Sequence, residues 1–190
     1  IILPGEFAIT LARGLPSLEV LDAVPEGPWA GAGEAVSGRV RQARLKGCCE
    51  SFAAQAHIAS LLPSLERLTL WDDGQGIVST DLAGATGLTH LLLGNNDDQE
   101  VQEVHPGVLA ALCTLSHLCH LALAVETSWV PRLAHLPATL EVLRVHIAPG
   151  FVDWPPEGLE GGATDLCRVL EAVGRLPRLR ALYINDVQRE

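Results

Sequence analysis

Seven histidines, five cysteines and one run of amides and acids are the residues of this chain with chemistry to offer. His90 and His120 come first, because they hold the same place in two similar segments, His90-Leu91-Leu92-Leu93 and His120-Leu121-Ala122-Leu123. On adjacent strands, two imidazoles at that spacing can begin a metal site, but zinc-type coordination needs a third or fourth ligand. Cys119, next to His120, should point elsewhere on the strand. The expectation is therefore no metal and a neutral pair of surface histidines, close enough to make their face sensitive to pH near ~6. Asn95-Asn96-Asp97-Asp98 lacks the alternating ligands and closing glutamate of a calcium loop and reads as a solvated loop. Asp73-Gly74-Gln75-Gly76 lacks the spacing and following lysine of a phosphate cradle. Cys48-Cys49 has no neighbours that would make a nucleophile of it. No catalytic residue and no cofactor is expected, so the chain does not read as an enzyme unless a catalytic domain lies outside it.

The elements that would position these residues come from a repeated phrase, Leu-x-x-Leu-x-Leu. It stands at Leu65-x-x-Leu68-x-Leu70, Leu88-x-x-Leu91-x-Leu93 and Leu118-x-x-Leu121-x-Leu123, and again at Leu140-x-x-Leu143-x-Val145 and Leu179-x-x-Leu182-x-Ile184. A weaker copy, Leu18-x-x-Leu21-x-Ala23, is too far from Leu65 for one unit, and Val40-x-x-Ala43-x-Leu45 fills the gap. The anchors Leu18, Val40, Leu65, Leu88, Leu118, Leu140 and Leu179 are then 22, 25, 23, 30, 22 and 39 residues apart. A phrase returning at such intervals predicts stacked units that bury their apolar faces only against one another. Each phrase should be a short strand whose first, fourth and sixth residues point inward.

With Asn96 and Cys48 each three places after the last phrase leucine of their units, the chain resembles the leucine-rich-repeat family. Elsewhere that position holds Glu26, Asp73, Glu126, Ala148 and Val187, so the polar ladder is irregular. The resemblance implies an α/β leucine-rich-repeat solenoid, a horseshoe with a parallel concave sheet and helical or irregular convex segments. It would be one domain over residues 1–190 with about seven repeats. Strands are expected near 18–23, 40–45, 65–70, 88–93, 118–123, 140–145 and 179–184, with an insertion at 149–162. Glu50 to Leu62 is Ala-rich and reads as helix. Pro106 is placed to open a helix through Leu112, and Thr164-Asp165 to cap one over Leu166 to Val173. Residues 81–86 read as a turn or 3₁₀ piece, and 27–38 as a flexible stretch.

Composition narrows the function further. A net charge of −10 argues against nucleic acid, which needs a basic stripe, and suits solubility and a basic protein partner. Lys46 is the only lysine, a bias expected of a GC-rich genome such as a green alga's. The absence of Met and the apolar start Ile1-Ile2-Leu3 are expected of a fragment of a longer protein. Five cysteines cannot all pair; they sit in apolar stretches and are read as buried, reduced thiols of a cytoplasmic protein. The run Val104 to Val125 has no charged side chain, but its histidines and Pro106 favour the repeat over a membrane span, so no membrane partner is expected.

In this register the third, fifth and seventh residues of each phrase project from the concave face. Arg44, Lys46 and Arg67 then lie near Trp71, a basic spot beside an aromatic of the kind found at interface centres. The competing reading is ordinary surface, with Arg44 paired to Asp22 one strand away. Arg144, His146 and Tyr183 make a second cluster, with His90 and His120 between the two. Trp154, beside Pro155-Pro156 in the insertion, is either a rim contact or a cover for the core edge. The function expected is protein–protein interaction on the concave face of a monomeric module. The resemblance adds two alternatives: substrate recognition behind an F-box in ubiquitin ligation, and a structural role on the cytoskeleton or a ciliary axoneme.

Overall fold

Short-range chemistry sets the turn that opens six of the seven phrases. In Leu15-Pro16-Ser17-Leu18, Leu62-Pro63-Ser64-Leu65 and Leu176-Pro177-Arg178-Leu179, proline supplies the fixed φ that the second place of a tight turn requires. The N–H of Leu18, Leu65 and Leu179 closes each turn on the carbonyl of Leu15, Leu62 and Leu176 at 3.0, 3.0 and 3.3 Å. Leu88 and Leu118 close the same turn on Ala85 and Leu115, and Leu140 on Pro137. The computed structural model describes residues 14–23, 39–47, 62–72, 82, 85–95, 106–148 and 161–186.

Directly after each turn the backbone joins the preceding unit. The carbonyls of Glu19, Arg41, Glu66, Thr89, Cys119 and Glu141 each accept two successive N–H groups from the next unit, at 2.8 to 3.1 Å. Glu66 O, for example, receives Thr89 N–H at 2.9 Å and His90 N–H at 3.0 Å. From there the strands run in parallel. They are β1 (Val20–Ala23), β2 (Gln42–Gly47), β3 (Arg67–Asp72), β4 (His90–Asn95), β5 (His120–Glu126), β6 (Val142–Ala148) and β7 (Ala181–Asp186). They form one open seven-stranded sheet in chain order, so the fold is α/β with an all-parallel sheet. The helix α1 (Pro106–Leu112) precedes β5, a 3₁₀ segment (Thr127–His135) follows it, and α2 (Gly161–Val173) precedes β7.

The register pairs like with like. Leu68 stands opposite Ala43 and Leu91, and Leu143 opposite Leu121 and Leu182. Side chains alternate across a strand, so the fourth and sixth residues of the central phrases all go inward. Leu68, Leu70, Leu91, Leu93, Leu121, Leu123, Leu143 and Val145 are buried, as are the anchors Val40, Leu65, Leu88, Leu118 and Leu140. Leu18, Leu179, Leu182 and Ile184, in the outermost units, are only partly covered. From the helical side Val108, Ala111 and Leu112 of α1 close the core, with Val130 and Leu133 of the 3₁₀ segment and Val169, Ala172 and Val173 of α2. The 3₁₀ segment and α2 pack on each other.

Several expectations are corrected here. Every strand starts two residues later than its phrase: in six of the phrases the first residue closes the turn, and from β2 onward the second shares a carbonyl with the third. Helix α1 has the expected bounds, but α2 begins at Gly161 rather than after Thr164-Asp165. The 3₁₀ segment was not anticipated: its nine residues carry Pro131, which removes a backbone donor and disfavours a regular α-helix. Cys113 and Cys167 are exposed and Cys119 half-buried, all three as free thiols, so they are not core residues. Leu82 lies in 3₁₀ geometry as foreseen for 81–86; the proposed helix over 50–62 lies outside the described residues apart from Leu62, and 27–38 wholly so. The uncharged run 104–125 divides into α1, a turn and β5, and no helix among the described residues is long and apolar enough to cross a membrane.

Leu118, 0% exposed, is held by units on both sides, so Leu118→Ala should cost about 2–5 kcal/mol, the range for a leucine truncated inside a close-packed core. Leu170→Ala, at a position 49% exposed, should change stability by less than about 0.5 kcal/mol. Urea unfolding midpoints of the two variants check the contrast.

Candidate functional site: the open face of the sheet

The pairing that buries the leucines also lines up the residues between them. In the third row Val20, Gln42, Arg67, His90, His120, Val142 and Ala181 are successive register partners. In the fifth row they are Asp22, Arg44, Thr69, Leu92, Ala122, Arg144 and Tyr183. None of these side chains is buried: Val20, Asp22, Arg44, Arg67, Arg144 and Tyr183 are exposed and the others intermediate. In the seventh row Lys46 stands opposite Trp71, and His146 opposite Ala124 and Asn185. The side chains of Lys46, Trp71 and Asn185 lie outside the described residues, as do Val24 and Trp154 entirely.

His90 and His120 form the best-defined contact on this face. Their rings stack with centroids 4.1 Å apart and planes 13° from parallel. Thr89 orients one of them. Its hydroxyl has a single proton, which it donates to the carbonyl of Glu66 at 2.9 Å. The 2.9 Å contact between the same oxygen and His90 Nδ1 must then be donated by the imidazole. Neutral His90 therefore carries its proton on Nδ1 and keeps its lone pair on Nε2. Partial burial, then the neighbouring His120 imidazole and then the Arg67 guanidinium hold the His90 pKa below the usual 6.5, with Glu66 opposing them.

This geometry does not converge on an ion. Imidazole lone pairs lie in the ring plane, and two nearly parallel rings aim them along separate planes. Cys119 belongs to the row before the histidines, and its thiol donates to the carbonyl of His117 at 3.3 Å. Among the described residues no group of three or more His, Cys, Asp and Glu side chains is arranged to hold a metal.

On one side of the stack, Arg44 reaches Asp22 at 4.0 Å, with both side chains largely in water, so the pair holds little energy and leaves the guanidinium available. Arg67 makes no ion pair among the described residues. On the other side, the Arg144 guanidinium lies 4.8 Å from the Tyr183 ring centroid, a cation–π contact joining the two expected partners. His146 is half-buried beside them. The first basic cluster and the second are thus at opposite ends of the face, with the histidines between.

A further row was not singled out from sequence: the second residues, Glu19, Arg41, Glu66, Thr89, Cys119, Glu141 and Arg180, along the edge where the strands begin. Arg41 binds Glu66 at 3.3 Å and Arg180 binds Glu141 at 3.8 Å. Glu19, Arg39, Arg41, Pro63, Ser64, Glu66 and Gly87 line a shallow cleft of about 450 Å³ there. Alternating charge at the second positions was the available signal. On the helical side, Arg132 lies 4.5 Å from the Trp129 ring, a contact that leaves no mark in the repeat.

The His90 shift fixes a pH dependence. Its folded-state pKa lies below the unfolded value of about 6.5, so as pH falls the unfolded chain takes up this proton first. Stability from the neutral imidazole is complete above about pH 6.5 and is lost as pH falls towards the lower folded value. NMR titration should place the His90 midpoint below 6.5, with His120→Asn moving it upward. Urea unfolding should show a shallower stability–pH slope for His90→Gln below pH ~6.5. Comparison with known proteins adds no identity to this geometry, since neither the family models nor the curated proteins searched give a match.

Proposed function

We propose that the chain is a leucine-rich-repeat solenoid, one array of about seven repeats over residues 1–190, that holds a protein partner on the open face of its sheet. One observation carries the reading: an all-parallel sheet whose second face, among the described residues, has no buried side chain in its third and fifth rows and is mostly polar there. Parallel sheets are ordinarily packed on both faces and read as continuous apolar runs. Here the inward rows are aliphatic, Leu, Val, Ile and Ala, while the outward rows hold Gln42, Arg44, Arg67, Thr69, His90, His120, Arg144 and Tyr183 among a few small or aliphatic side chains such as Ala122 and Val142. Stacked units that bury one face only against their neighbours account for such a sheet, and extended recognition surfaces are what they provide.

The role proposed is recognition and not catalysis, by a monomeric module in the cytoplasm. Arg44 and Arg67 at one end and Arg144 with Tyr183 at the other offer the residue types that dominate interface energetics. The interior leucines are spent on the fold, which leaves these rows free to differ between proteins of the same architecture.

Photo-crosslinking residues placed one at a time in the full chain provide the test. Probes at Thr69 and Ala122, on the open face, should yield an adduct with the same partner protein. Probes at Ser128 and Glu171, on the helical side, should yield none. Adducts formed equally from both sides would defeat the assignment of the face.

A further inference from the structure

The chain as a whole is acidic, at −10, yet its open face is not. In the described third and fifth rows Arg44, Arg67 and Arg144 stand against one carboxylate, Asp22, which is already beside Arg44 at 4.0 Å. The overall charge favours a basic partner, whereas the surface that would touch one favours the reverse. Charge complementarity acts at the contact, where separations are short, more than through the screened field of the distant acids.

The stacked histidines lie in the middle of this surface. His90 is flanked by Arg67 and Glu66 from the β3 side and by His120 from β5. His120 has His90 on one side and Val142 on β6 on the other, with Arg144 two places further along that strand and Glu141 just before it. Protonating one ring of a stack with centroids 4.1 Å apart is tolerated as a cation over a π face, but protonating both sets two like charges in contact next to Arg67. An anion laid across the row removes that penalty. Thr89 holds the His90 Nδ1–H, so the proton taken up goes to Nε2, which becomes a new donor for an incoming carboxylate.

We propose that the open face takes an acidic segment of a partner protein, its carboxylates seated on Arg44, Arg67 and the His90–His120 pair, and that the contact tightens as these imidazoles protonate. This rests on the reading of the open face as a protein-binding surface. Proton and carboxylate binding are then coupled and reciprocal: acidification raises affinity for the segment, and the segment raises the affinity of the histidines for protons. Carboxylates with pKa values near ~4.3 remain ionised through the histidine range, so the ligand's charge does not change over that window.

The probe is a fluorescent peptide of alternating Glu and Ala, titrated with the full chain at pH 7.5 and pH 5.5 and read by anisotropy, with a single-stranded oligothymidine of equal charge as the second polyanion. The peptide should bind about fivefold or more tightly at pH 5.5. His90→Gln with His120→Gln should abolish that gain, so that the affinities at the two pH values become equal within about twofold, and Arg67→Gln should weaken binding at both pH values. Unchanged far-ultraviolet circular dichroism keeps the variants interpretable, and Arg67→Gln leaves the stack itself in place should the double variant unfold. A pH gain that survives in the histidine variant overturns the proposal, as does tighter binding of the oligothymidine. Absence of peptide binding, with Thr69 and Ala122 still crosslinking to a partner, overturns this inference and leaves the protein-binding reading standing; loss of both removes both.

Discussion

The structure depends on a carbonyl that accepts twice. At the start of each strand from β2 to β7, one backbone oxygen of the preceding unit binds two successive N–H groups of the next, from Glu19 through Glu141. With the turn closed just before it, this arrangement leaves no freedom over which residue meets which. A slip of one residue would turn every outward side chain inward, burying Arg67 and His90 while exposing Leu68 and Leu91. The leucines supply the energy of the sheet, but the doubled carbonyl and the turn specify its register.

Fixed register has a consequence that no single strand contains. Residues 30 positions apart in sequence, His90 and His120, become neighbours because each follows its own doubled carbonyl by one place. Adjacent strands lie about 4.8 Å apart, and the imidazoles lean together to 4.1 Å, close enough for ring contact. Thr89 takes part in both events: its N–H and its hydroxyl go to the same Glu66 oxygen, and that hydroxyl fixes the His90 tautomer. The interaction that sets the strand also sets the proton on the ring. Arg144 over Tyr183 arises in the same way from the fifth row.

The rows were legible in the sequence because period-two alternation and repeated leucine spacing are carried by residue type alone. With Val40 and Leu18 as degenerate anchors, every register partner of the third and fifth rows follows. What was not legible depends on contacts between segments. Strand starts were displaced because hydrogen-bond sharing leaves no trace in residue type. Gly161 and Gly162, poor helix formers, conceal the first turn of α2. The 3₁₀ segment buries Val130 and Leu133 despite Pro131, a case of packing against α2 prevailing over local preference. Cys113 and Cys167 lie among apolar residues in sequence, yet are exposed: Cys113 falls in the turn just after α1, next to buried Leu112, and Cys167 sits about 200° around α2 from buried Val169.

Among the described residues, burying one face of the sheet and leaving the other exposed or half-buried divides the chain between two kinds of constraint. On the covered side, α1, the 3₁₀ segment and α2 close onto leucine rows in which close packing tolerates little change in volume. On the other side, the described side chains stand in register and are exposed or half-buried, and substitutions at the exposed ones change stability only slightly. The backbone holds these partners at strand spacing whatever their type, so the face can carry basic and imidazole groups side by side that a packed surface would reject. The same rigidity that aligns the leucines therefore accounts for why Arg67, His90 and His120 sit in one line, and why that line is where proton uptake and charge recognition would be coupled.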